Sequence, residues 1–130
     1  MAVTMSGASI SFGSSGPAMT VPLGTAPIYG IRAWANFDGV MAGTYIRNSG
    51  NVSSVTDLGV GSYQVNFNTA MLSASYAVVG SCRRGSGDTN TDFSFPLAGT
   101  YSTTAVQVRT QSYNNWAALD ADIVNVLVIM

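Results

Sequence analysis

A chain of 130 residues is long enough to bury one core of its own and short for two domains. Only 8% of the residues are charged, against about a quarter in an average domain, while 47% are apolar. The ions are five Arg and six Asp, giving a net charge of −1, with no Lys, Glu or His. This balance excludes a nucleic-acid-binding protein, which needs a clustered basic surface. It suits a subunit that lives in an assembly, because so few charges leave little repulsion between copies.

Residues 1–28 are dominated by Gly, Ser, Ala, Pro and Thr, as in Ser14-Ser15-Gly16-Pro17 and Pro22-Leu23-Gly24-Thr25-Ala26-Pro27. Their apolar residues are spaced too irregularly for a helix and are too few for a core, so extended chain or short strands are expected. The segment reads either as a disordered tail or as an attachment or oligomerisation arm that orders against a neighbouring subunit or a larger particle, with Phe12, Met19, Val21 and Leu23 as its anchors. Its first residues show no basic segment and no long apolar run, and the expectation is a protein made without an export signal of its own.

From Tyr29 to Phe37, Tyr29, Ile31, Ala33, Ala35 and Phe37 fall on one side and Arg32, Trp34 and Asn36 on the other, a half-buried strand. Asp38-Gly39 signals a hairpin, with a return strand over Gly43 to Arg47 and a turn at Asn48-Ser49-Gly50-Asn51. A short strand then runs into a glycine-marked turn at Asp57-Leu58-Gly59-Val60-Gly61. The clearest alternation follows: Tyr63, Val65 and Phe67 face in, and Gln64, Asn66 and Asn68 face out. Another strand spans Tyr76 to Cys82. The lone cysteine, Cys82, cannot close an internal disulfide and reads as a small buried hydrophobe.

Beyond a polar loop at residues 83–92, strands are expected at Phe93 to Leu97 and Thr104 to Gln111, the latter with Val106 and Val108 inward. The loop from Ser112 to Asp120 carries Tyr113-Asn114-Asn115-Trp116. The last strand, Ile123 to Met130, is apolar on both faces, with Ile123, Leu127 and Ile129 on one and Val124, Val126, Val128 and Met130 on the other. It is far short of the ~20 residues that cross a bilayer. A strand greasy on both sides asks for burial on both sides. Val124, Val126, Val128 and Met130, with Phe12, Val21 and Leu23 of the arm, are therefore expected at a subunit interface. No stretch has convincing helical period. The fold class is all-β, a small antiparallel β-sandwich of about seven or eight strands over residues 29–130, preceded by the extended arm.

Catalytic chemistry finds little here. The absence of His removes a Ser-His-Asp triad and leaves Cys82 without a base. Gly80 to Gly87 is glycine-rich but lacks the Lys of a phosphate loop. Asp88, Asp92, Asp120 and Asp122 could pair as carboxylates, but Asp beside loops is ordinary turn chemistry. The chain reads as no enzyme, and no cofactor motif occurs. Asp88-x-Asn90-x-Asp92 copies the first ligand positions of a calcium loop, without its Gly and its distal Glu. Asn51-Val52-Ser53 fits the glycosylation pattern, within a turn. In Tyr113-Asn114-Asn115-Trp116, a ring could stack on a sugar while the amides meet its hydroxyls, with Arg83 and Arg84 as further ligand-binding candidates. Alternatively, Trp116 caps the open end of the sandwich.

Between Ile46 and Phe67 the chain reads IRNSGNVSSVTDLGVGSYQVNF, preceded by Ala33-Trp34-Ala35-Asn36-Phe37 and followed by Thr69-Ala70-Met71 and Tyr76-Ala77-Val78. Over about residues 28–82 this resembles the short tail-fibre and virion structural proteins of tailed bacteriophages. More distantly it resembles fibre-tip domains and H-type lectins, without their F-P-x-x-F bend. The resemblance implies a homo-oligomer, most often a trimer, that belongs to the virion and is assembled in the host cytoplasm. The arm would contact other virion proteins and the sandwich would face a host surface glycan. A head-decoration or tail subunit with no receptor-binding role is the alternative.

Overall fold

The computed structural model describes residues 9–12, 19–22, 29–41, 45–85, 91–94 and 101–130. They form β1 (Ser9–Phe12), β2 (Met19–Pro22), β3 (Ile31–Asp38), β4 (Tyr45–Gly50), β5 (Val52–Gly59), β6 (Ser62–Phe67), β7 (Ala77–Arg83), β8 (Thr91–Ser94), β9 (Ala105–Ser112) and β10 (Ile123–Ile129). Among the described residues there is no helix. Within the arm, β1 and β2 pair antiparallel, Ser9 opposite Pro22 and Phe12 opposite Met19. The expected anchors Phe12 and Val21 thus sit in this ribbon, and Leu23 lies outside the described residues.

The remaining strands make two four-stranded sheets in the orders β4-β3-β10-β7 and β5-β6-β9-β8, all pairings antiparallel. The all-β, two-sheet architecture expected from the alternation is the one observed. Ala33, Ala35 and Phe37 of β3, Tyr63, Val65 and Phe67 of β6, and Val106 and Val108 of β9 all face the core, as their period of two predicts. Two edge-to-face aromatic pairs, Phe37 with Tyr63 at 5.2 Å and Phe67 with Tyr76 at 5.8 Å, add to the packing. Cys82 packs against this core, half-buried.

Three expectations are corrected. Val124, Val126 and Val128 are not a subunit interface: they are 0%, 2% and 0% exposed within the chain's own core. Met130 packs against the same core, and its backbone N–H and C=O pair with those of Gly30. The reason is topological. β10 lies between β3 and β7, so its valine face meets the other sheet, while Ile123, Asn125, Leu127 and Ile129 face outward. Second, Asn48 to Gly50 do not turn but extend β4, with Asn48 opposite Asn36 and Gly50 opposite Trp34. Third, the strand placed at Phe93 to Leu97 begins earlier, at Thr91, and residues 95–97 lie outside the described residues.

The change of direction falls on Asn51 alone, where the chain leaves one sheet for the other at φ 54°. Its side-chain Nδ2 donates to the carbonyls of Arg32 (2.9 Å) and Thr69 (3.0 Å), and its Oδ1 accepts from the Thr69 N–H (2.7 Å). The amide that a glycosylation pattern would modify is spent as a corner bracket. Asn51→Gly keeps the left-handed backbone and loses these bonds, whereas Asn51→Ala loses both. Urea denaturation is expected to show both destabilised, with Ala worse than Gly by about 1 kcal/mol.

Candidate functional site

One end of the sandwich gathers the residues that follow β3, β7 and β9, the β5–β6 turn and the approach to β10. They enclose an open cleft of about 560 Å³, walled by Val40, Val60, Arg84, Ser112, Asn115, Ala117, Ala118, Leu119 and Asp120. This is the size range of small-ligand sites.

The floor is stitched from several directions. Thr110 accepts at its backbone C=O from Leu119 N–H (3.2 Å) and donates through Oγ1 to the Leu119 carbonyl (2.5 Å). Thr110 N–H bonds to the Gly61 carbonyl at 2.8 Å, and Gly39 N–H to the Ala121 carbonyl at 2.9 Å. Asp120 Oδ1 then accepts twice, from the Gly61 N–H (2.7 Å) and from the Tyr63 hydroxyl (3.0 Å). The other oxygen of Asp120 has no such commitment, and Asp120 lies on the cleft wall. Arg84 stands on the same wall. The nearby carboxylate of Asp38 is already paired with Arg47 at 2.8 Å.

Gly61 is required twice over. Its φ is 63°, and a Cβ there would run into the backbone of Thr110 and Leu119. Tyr63 is fully buried, and burial, with the adjacent Asp120 carboxylate adding to it, pushes its hydroxyl well above the ordinary tyrosine range. The Tyr63 hydroxyl thus remains a donor to Asp120 across neutral and mildly alkaline pH.

The expected ligand residues divide. Asn115 and Arg84 line the cleft. Tyr113, Asn114 and Trp116 are exposed on the adjoining loop. Trp116 does not cap the sandwich: it is 66% exposed, and Leu119 and Ala121 fill the buried positions instead. Arg83 closes β7 opposite Ile123, away from the cleft wall. Asp88 and Asn90 lie outside the described residues, while Asp92 sits in β8 opposite Gln111. Asp120 is the residue that sequence reading missed as an organiser. Its signal is faint: small neighbours, Ala117, Ala118 and Ala121, that let a connection lie close against a sheet.

Trp116 also has φ 58°, a left-handed conformation that costs a bulky L-residue ~1–2 kcal/mol. Its N–H bonds to the Ser112 carbonyl (2.9 Å), and Ser112 N–H to the Ala117 carbonyl (2.8 Å), which holds the loop in this shape. Asn115 Oδ1 accepts from Ala117 N–H at 3.1 Å, leaving its amide N–H groups to the cleft. Strain of this kind persists where the surroundings fix it, and it clusters at binding sites.

Comparison with protein-family models, with curated proteins and with solved structures returned no match.

Two outcomes test this geometry. Gly61→Ala is expected to cost about 2 kcal/mol or more in denaturant unfolding, whereas Gly30→Ala, with open space around it, is near neutral. Because folded Tyr63 holds its proton more tightly than the unfolded chain does, its contribution is whole below about pH 10 and shrinks as pH climbs beyond it. Tyr63→Phe is expected to lose about 1–2 kcal/mol at pH 7 and to flatten the alkaline decline measured between pH 9 and 11.

Proposed function

We propose that the protein is a structural subunit of a bacteriophage particle, a fibre or spike module that assembles as a homo-oligomer, with a trimer the expected form. The cleft end meets polysaccharide of the host surface, and the arm joins it to other virion proteins. The sequence resemblance over residues 28–82 motivates the phage assignment.

The observation that carries the assembly reading is the unlikeness of the two outer faces. On the β5-β6-β9 face, Asn66 Nδ2 donates to Ser54 Oγ (3.0 Å) and Thr56 Oγ1 (2.9 Å). Gln64 Nε2 donates to Asn66 Oδ1 (2.8 Å), and Gln107 Nε2 to Gln64 Oε1 (3.4 Å). This is a lattice of amides and hydroxyls with its bonds largely satisfied by one another, suited to solvent.

The β4-β3-β10-β7 face is different. Asn36, Asn125 and Ser81 form one polar row, linked at 2.5 Å and 3.2 Å. Beside it run two apolar rows, Trp34–Leu127–Val79 and Ile31–Ile129–Ala77. Trp34 lies across Gly50, whose missing side chain makes room for the indole. Ile31 and Val79 are 61% and 56% exposed. A contiguous apolar band on a charge-poor protein is a surface for contact with another subunit.

Sedimentation velocity tests the assembly reading. The wild-type chain is expected to sediment as an oligomer at micromolar concentration, and Val79→Arg or Leu127→Arg as a folded monomer with unchanged circular dichroism. A wild-type chain that stays monomeric at high concentration overturns it. Antibody labelling of purified particles carrying the protein, viewed by electron microscopy, tests the virion assignment and its placement on the tail.

A further inference from the structure

The apolar band on the β4-β3-β10-β7 face is left open in the single chain, where Ile31 and Val79 are more than half exposed. One segment of the same sequence is patterned to cover it. β1 and β2 make a ribbon with Ser9 opposite Pro22, Ile10 opposite Val21, Ser11 opposite Thr20 and Phe12 opposite Met19. Residues opposite one another, and residues two apart along a strand, share a face. By register, Ile10, Phe12, Met19 and Val21 therefore fall on one face, and Ser9, Ser11, Thr20 and Pro22 on the other. A two-stranded ribbon is marginal in water by itself and gains stability by laying its apolar face on another layer.

The two surfaces match in kind and in spacing. The ribbon offers two apolar pairs, Ile10 with Val21 and Phe12 with Met19, two residues apart along each strand. The sheet offers two apolar rows, one through Leu127 and one through Ile129, also two residues apart. Each step is roughly 7 Å, so successive pairs can meet successive rows. None of these residues is charged, so the contact strips no ion of its water.

The ribbon is also tethered in the right place. Gly30, just before β3, pairs with Met130, just after β10, so the arm joins the sandwich at the Ile31–Ile129 end of the band. Residues 23–28 separate Pro22 from Tyr29, and at about 3.3–3.6 Å per residue this stretch reaches no more than about 25 Å. That reach takes in the face of a copy packed alongside.

We propose that the β1–β2 ribbon of one copy lies, apolar face down, on the apolar band of a sister copy. The inference rests on the reading that this face is a contact between copies, and it names what covers it. Donor and acceptor are different surfaces, so the contact is head-to-tail. Passed from copy to copy it closes as a ring, the symmetry of a cyclic trimer.

Sedimentation velocity and disulfide trapping of the full chain test the proposal. Ile10→Asp combined with Phe12→Asp puts charge on the apolar face of the ribbon and leaves β3 to β10 untouched. It is expected to weaken association by about a hundredfold or more, with little change in circular dichroism. For trapping, Cys82→Ala removes the native thiol, and Phe12→Cys and Val79→Cys are placed in separate, co-expressed chains. Mild oxidation is expected to join the two kinds of chain. Ser11→Cys, on the polar face of the ribbon, is expected to join far less when it replaces Phe12→Cys.

An oligomer that survives the Ile10→Asp and Phe12→Asp pair, or that traps Ser11→Cys as readily as Phe12→Cys, overturns this inference and leaves the assembly reading standing. A disulfide that closes inside one chain carrying both Phe12→Cys and Val79→Cys also overturns it, because the ribbon then covers its own sheet. A wild-type chain that stays monomeric at high concentration sinks both readings.

Discussion

The phenol of Tyr63 is the constraint on which the rest of the molecule leans. Its ring, edge-on to Phe37 at 5.2 Å, joins one sheet to the other inside the core. Its hydroxyl leaves the core at the far end and donates to Asp120, which also holds the Gly61 N–H. One side chain thus couples the packing of the sandwich to the floor of the cleft. Gly39, whose place admits no side chain beside the Tyr63 hydroxyl, and Gly61, which admits none beside Thr110 and Leu119, are consequences of that closeness. A buried hydroxyl needs a partner, and a half-buried carboxylate oxygen is steadied by donors; here each answers the other.

The opposite end is closed by a different device of the same kind. The Tyr76 hydroxyl donates to the carbonyls of Ser102 (2.9 Å) and Ala105 (3.1 Å), while its ring meets Phe67. Asn51 brackets the corner nearby through Arg32 and Thr69. Both ends therefore rely on one polar side chain gripping backbone that has no strand partner, which is how loop carbonyls and amides are satisfied away from a ladder. The difference lies in what is left over. At the Tyr76 end the bonds close on themselves, whereas at the Tyr63 end one Asp120 oxygen and the Asn115 amide N–H groups take no partner among the described residues.

Scarcity of charge gives the two outer faces their meaning. In most soluble domains a wet face is dressed with Lys and Glu, neither of which occurs here. The β5-β6-β9 face replaces them with amides and hydroxyls that bond sideways to one another, while the β4-β3-β10-β7 face carries an aromatic and aliphatic band. In the proposed particle the first is the exposed skin and the second is covered by sister subunits. The physical basis is the same for both. Without ions, the choice for a sheet surface is mutual hydrogen bonding or burial.

The alternation of Tyr63, Val65 and Phe67, of Ala33, Ala35 and Phe37, and of Val106 and Val108 was by itself sufficient for the all-β class and for most of the core, because side-chain direction in a strand depends only on position. So was the hairpin at Val60-Gly61, where glycine is needed for positive φ. The sequence could not say which apolar face of Ile123 to Ile129 would turn inward. Both read alike until β3 and β7 take their places on either side and the second sheet arrives over the valines. Nor could it say that Asn51 ends no hairpin but carries the chain between sheets, or that Asp120 reaches Gly61 and Tyr63 across nearly sixty residues of chain. Local pattern reports what each segment prefers, while long-range partners exist only once the segments have been brought together.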